Sequence, residues 1–117
     1  MLFRSQVQEL VAAGWEIGSH SMTHQDLTKG ADINYEIYQS RVHLESLLGV
    51  VANTFAYPYG AGNEFVFGKA YQYGYDAAMG LGNGITHYTW TLYYLSRIPV
   101  LYAMTIDDLA RLLNPVQ

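Results

Sequence analysis

The chain has 117 residues, half of them hydrophobic and 14% charged, with a net charge of −4. Its six Lys and Arg residues never cluster, which argues against a nucleic-acid surface. It has no cysteine, so disulfides and thiolate metal sites are excluded, and no apolar run approaches membrane-spanning length.

Residues 2–13 read as an amphipathic helix, with Phe3, Val7, Leu10 and Val11 on one face and Gly14 as its stop. The chain thus starts inside a helix, without a lead-in, which suggests a piece of a larger domain. Trp15 to Ser19 is a short strand, followed by a polar loop from His20 to Ala31. Ile33, Ile37, Leu44 and Leu48 mark a helix over 32–48, ended by Gly49. Val51 to Tyr57 is strand-like, and Pro58-Tyr59-Gly60 breaks it. Asn63 caps a helix over 64–73, closed by Gly74, and Tyr75 to Met79 forms a third strand. Gly80, Gly82 and Gly84 open a loop running to Trp90. Leu95 to Val100 is a further strand, and Thr105 begins a last helix. There Thr105 and Asp108 make a capping-box-like start, and Pro115 falls just past the end.

Alternation of this kind predicts an α/β domain of parallel strands with crossover helices. The residues present are too few to close an eight-stranded barrel, which needs around 200 or more. The alternatives are a small open sheet or part of a barrel, and bare sheet edges in either predict a homo-oligomer. No repeat or linker divides residues 1–117, which read as one partial domain. The eleven tyrosines are expected mainly to fill core and loops.

Two segments carry candidate chemistry. His20 and His24 lie where a strand gives way to a loop, at the carboxyl edge of a parallel sheet, where active sites are built. One helical turn between them brings both imidazoles together, with Ser21 and Thr23 holding the backbone, and imidazole suits zinc. From spacing alone, two solvated loop histidines are the favoured reading, because two ligands do not make a site. Phe55-Ala56-Tyr57-Pro58-Tyr59-Gly60 ends another strand, so its loop faces the same edge. A backbone N–H there, such as that of Tyr59, could donate to an oxyanion; the plain alternative is a turn.

Together, Gly14 to His24 with Asp26-Leu27 closely resembles the H-[ST]-x-x-H motif of the polysaccharide deacetylases, the NodB-homology group or carbohydrate esterase family 4. Phe55 to Gly60 resembles the family's F-A-Y-P-Y-G motif, Gly74 to Ala78 its G-Y-x-A-A strand, and Arg97 to Val100 a late R-I-P-V segment. The resemblance implies part of a distorted (β/α) barrel of the polysaccharide deacetylase type. It implies metal-dependent removal of N- or O-acetyl groups from an acetylated polysaccharide, in the cell envelope or outside the cell. By resemblance His20 and His24 would hold Zn2+ or a similar divalent ion. The Tyr59 N–H would stabilise the oxyanion, Phe55, Tyr57, Pro58 and Tyr59 would bind substrate, and His87 would be the candidate general acid. The family's aspartate motif, normally upstream of the histidines, has no counterpart here: the first aspartate is Asp26, read as loop support rather than a ligand. Turnover by this chain is therefore expected to be impaired, the chain being read as the carboxyl-terminal portion of such a domain. His43 is read as a surface residue of its helix. Two alternatives stay open: a degenerate, non-catalytic domain binding glycan or protein through its tyrosines, and a deacetylase of xylan or of a small amide.

Overall fold

The structure is a computed structural model, and it describes residues 3–82 and 87–113. Pro115 and residues 83–86 of the Gly-rich loop lie outside the described residues. Helix α1 spans Arg4–Ala12, and the Phe3 N–H donates to Gln6 Oε1 at 2.8 Å across its start. Val7, Leu10 and Val11 are half-buried, as the periodicity requires, but Phe3 is exposed. Its position ahead of the first turn leaves nothing for it to pack on.

A π-helical turn, Asn34–Gln39, runs directly into α2, Ser40–Leu48. Gly49 ends α2 at φ 67°, a left-handed conformation that costs glycine least. Strand β1 is Thr54–Ala56, and a 3-10 turn, Pro58–Gly60, follows at once. Helix α3, Glu64–Gln72, starts as expected, with the Val66 N–H donating to Asn63 Oδ1 at 3.0 Å. Strand β2 is Ala77–Met79. After a 3-10 turn at Thr89–Thr91, α4 spans Ile106–Leu113. Its capping box forms with Asp in place of Glu: Thr105 N–H donates to Asp108 Oδ2 at 3.0 Å, and Asp108 N–H donates to Thr105 Oγ1 at 3.1 Å.

Strands β1 and β2 pair in parallel, Phe55 opposite Ala78. The outer two strands are reduced to single parallel bridges, Ser19 to Phe55 and Met79 to Leu95. The order across the sheet therefore follows the sequence, with the π turn and α2 crossing over the first pair and α3 the second. The expected strand over 95–100 survives only at Leu95, because Pro99 cannot donate to a ladder and this is an edge.

Alternation along the strands sorts the sheet into two faces. Phe55 and Ala78 join Ile37, Val66, Ala70, Tyr57, Tyr75 and Leu27 in the core under the helices. The Tyr57 hydroxyl donates to Tyr93 O and the Tyr75 hydroxyl to Ile37 O, both at 2.7 Å, so neither buried phenol goes unpaired. Burial pushes both phenols above the usual tyrosine range, which keeps them neutral donors in the core. The opposite face carries Gly18, Thr54, Ala56 and Met79, which with Glu16, His20 and Arg97 line an open trough of about 440 Å³.

Candidate active site

His20 leaves the sheet one residue after the Ser19 bridge, at the carboxyl edge. Its Nδ1 lies 2.8 Å from Ala56 O. A carbonyl only accepts, so Nδ1 carries the proton and Nε2 keeps its lone pair free for a ligand role. The loop then turns through two left-handed residues, Ser21 at φ 76° and His24 at φ 59°. Ser21 Oγ accepts the His24 N–H at 2.9 Å and closes the turn. The two imidazole centroids stand 4.8 Å apart, edge to face, so a left-handed loop brings the pair together in place of the expected helical turn.

The second segment arrives at the same edge. Tyr59 follows Pro58 in the 3-10 turn at φ 61°, ψ 8°, and the residue is 66% exposed. That ring meets His24 edge to face at 4.7 Å, giving a three-ring cluster of His20, His24 and Tyr59. The Tyr59 N–H finds no acceptor among the described residues, while the Gly60 and Ala61 N–H groups bond back to Tyr57 O and Pro58 O. A backbone donor left without an acceptor on the turn that carries Tyr59 is of the kind that suits a developing anion. The Tyr94 hydroxyl buttresses this turn by donating to Gly60 O at 2.6 Å. Gly80 passes so close to the Tyr94 ring that a Cβ there would lie 2.0 Å from it.

The substrate-binding expectation for the second segment needs correction. Phe55 and Tyr57 are wholly buried and Pro58 is buried with them, so none can touch a polysaccharide. Phe55 points to the helix side because strand alternation puts it opposite Thr54 and Ala56. Tyr59 alone of the four reaches solvent. His87, the expected general acid, is exposed and shares no hydrogen bond or ring contact with the pair among the described residues. Asp26 behaves as loop support: its Oδ1 accepts Thr28 Oγ1–H at 2.6 Å and Thr28 N–H at 2.9 Å. The Thr28 hydroxyl and then its amide hold that carboxyl below its usual range. His43 is exposed on α2, as expected.

Two residues were missed. Glu36 reads in sequence as an ordinary polar helix position, yet it is buried and both its oxygens accept from Thr23. Arg97 shares the trough with His20 and donates its Nε–H to Gly80 O at 2.8 Å; only the R-I-P-V resemblance signalled it.

As a donor set for zinc, the pair fits in kind and falls short in number. Two neutral imidazoles suit the ion, but no group of three or more His, Cys, Asp or Glu that could hold a metal occurs among the described residues.

A parallel α/β sheet with a histidine pair at its carboxyl edge places candidate chemistry where barrel enzymes build their active sites. The chain belongs to the polysaccharide deacetylase family, whose profile matches residues 3–78 and so takes in both motifs. It is similar to a solved polysaccharide deacetylase from Bacillus cereus, at 25% identity and a TM-score of 0.87 over 97% of this chain. It is equally similar to the Streptococcus pyogenes deacetylase PplD, solved in complex with acetate, at 25% identity and a TM-score of 0.89 over 97% of this chain. These likenesses establish the fold as part of the family's (β/α) barrel. A gellan lyase from Bacillus sp. is 40% identical over 65 residues, 53% of this chain. The chain spans 3% of that lyase, 37% of the B. cereus chain and 51% of PplD. No described helix is long and apolar enough to cross a membrane.

Proposed function

We propose that the chain carries the histidine-bearing half of a metal-dependent hydrolase that removes N- or O-acetyl groups from a polysaccharide of the cell envelope or extracellular matrix. The observation that carries this reading is the ring cluster of His20, His24 and Tyr59 at the carboxyl edge, with His20 Nε2 left free by the bond to Ala56 O. Family membership and the acetate seen with PplD support the acetyl chemistry.

His20 and His24 would hold the ion, zinc or a close relative. Such an ion, when bound, polarises the acetyl carbonyl and makes its water more acidic. The remaining work falls to this chain's own groups. The Tyr59 N–H donates to the oxygen of the acetyl group as negative charge develops on it. The Tyr59 ring packs on His24 and limits its rotation, and the trough on the open sheet face leads away from His20. Among the described residues no aspartate or glutamate completes a three-ligand group with the pair, so this chain is expected to be slow. Acetate release from an N-acetylated polysaccharide tests the proposal. Release that is slow, stops on chelation and returns with zinc is expected. Release that ignores the chelator would overturn it.

Assembly follows from the sheet. Parallel sheets are normally covered on both faces, whereas among the described residues nothing pairs with either edge and the second face forms an open trough. We propose that the chain self-associates across them. Light scattering is expected to give at least a dimer, and a 13.2 kDa monomer with a cooperative melt would rule that out.

A further inference from the structure

We propose that Glu36 is a positioning residue that presets the His20–His24 loop by clamping Thr23; its link to a metal rests on the reading above. Glu36 sits in the π-helical turn, 13 residues beyond Thr23, and is 1% exposed. Thr23 N–H donates to its Oε1 at 2.8 Å, and Thr23 Oγ1 lies 3.0 Å from Oε1 and 2.8 Å from Oε2. No Lys or Arg pairs with it: the ion pairs among the described residues are Arg41 with Glu45 and Arg111 with Asp108. A buried carboxylate without a cation is costly, and only its hydrogen bonds offset that cost.

The loop needs such a clamp. Ser21 and His24 on either side of Thr23 both sit in left-handed conformations that residues with a Cβ rarely adopt. The Ser21 bond to the His24 N–H closes the turn from within. Glu36 ties it from outside to a packed element, since the neighbouring Ile37 is fully buried in the core. The extra residue of a π turn widens the helix locally, and such turns recur at functional sites. Glu36 thus connects the helix layer to His24 through one residue, holding the imidazole where His20 and Tyr59 can meet it.

The test compares wild type with Glu36→Ala, Glu36→Gln and Thr23→Val, by two readouts. Amide hydrogen exchange by NMR is measured on metal-free protein, and zinc affinity by titration calorimetry. Glu36→Ala is expected to speed exchange at Thr23 and His24 while Phe55 and Tyr57 keep their protection. It should also weaken zinc binding by about 10–100-fold, as loss of an outer-shell partner does. Glu36→Gln keeps an acceptor for the Thr23 N–H and is expected to restore much of both. Thr23→Val, which keeps only the amide bond, should fall between. Unchanged exchange at Thr23 in Glu36→Ala, or loss of protection spread evenly over the core, would overturn the proposal. Should Glu36→Ala fail to fold, Glu36→Gln and Thr23→Val decide on the same readouts. A wild type that binds no zinc would sink the metal reading alone, and exchange at Thr23 would then decide the role of Glu36.

Discussion

Replacing His20 or His24 with alanine is expected to weaken zinc binding to the apo protein by more than about 100-fold. Losing an outer-shell partner already costs ~10–100-fold, and here one of the two proposed direct ligands would go. The fold should survive the change. Both imidazoles are exposed, and neither belongs to the core cluster. The largest losses come from emptied core sites, and neither side chain fills one. His20 gives the sharper readout, because its bond to Ala56 O fixes the tautomer that leaves Nε2 available. Titration calorimetry on each variant, with circular dichroism as a control, checks both halves. Zinc binding that is retained when His20 is removed would end the proposed role of the pair.

The second large effect separates two aromatic residues of one motif. Phe55→Ala is expected to destabilise the domain by about 3–5 kcal/mol, the usual cost of emptying a buried aromatic site. The Phe55 ring is fully buried and lies 5.5 Å from the rings of both Tyr57 and Tyr75. A loss of that size is a large share of the roughly 5–15 kcal/mol that holds a domain together. Tyr59→Ala, four residues on, should cost well under about 1 kcal/mol, because its ring is mostly in solvent. Urea unfolding of both variants checks the contrast. Equal stabilities would contradict the assignment of Phe55 to the core and Tyr59 to the site.

The sequence by itself determined the helix ends and the sheet edge to which the two motifs run. Asn63, Gly49 and the Thr105–Asp108 box set helix ends where predicted, because capping and left-handed termini depend on a few neighbouring residues. The two motifs reached the same edge because both follow strands of one parallel sheet, which direction alone guarantees. Only the tertiary structure decided which side chains face out. Phe55, Tyr57 and Tyr59 look alike as aromatic residues in one motif, yet strand alternation and the turn at Pro58 bury two and expose the third. Glu36 was invisible for the same reason. A glutamate in a helical stretch is usually solvated, and nothing local records that Thr23 lies opposite it, 13 residues away in sequence. Local chemistry is written along the chain, whereas burial and long-range pairing are properties of how its layers pack.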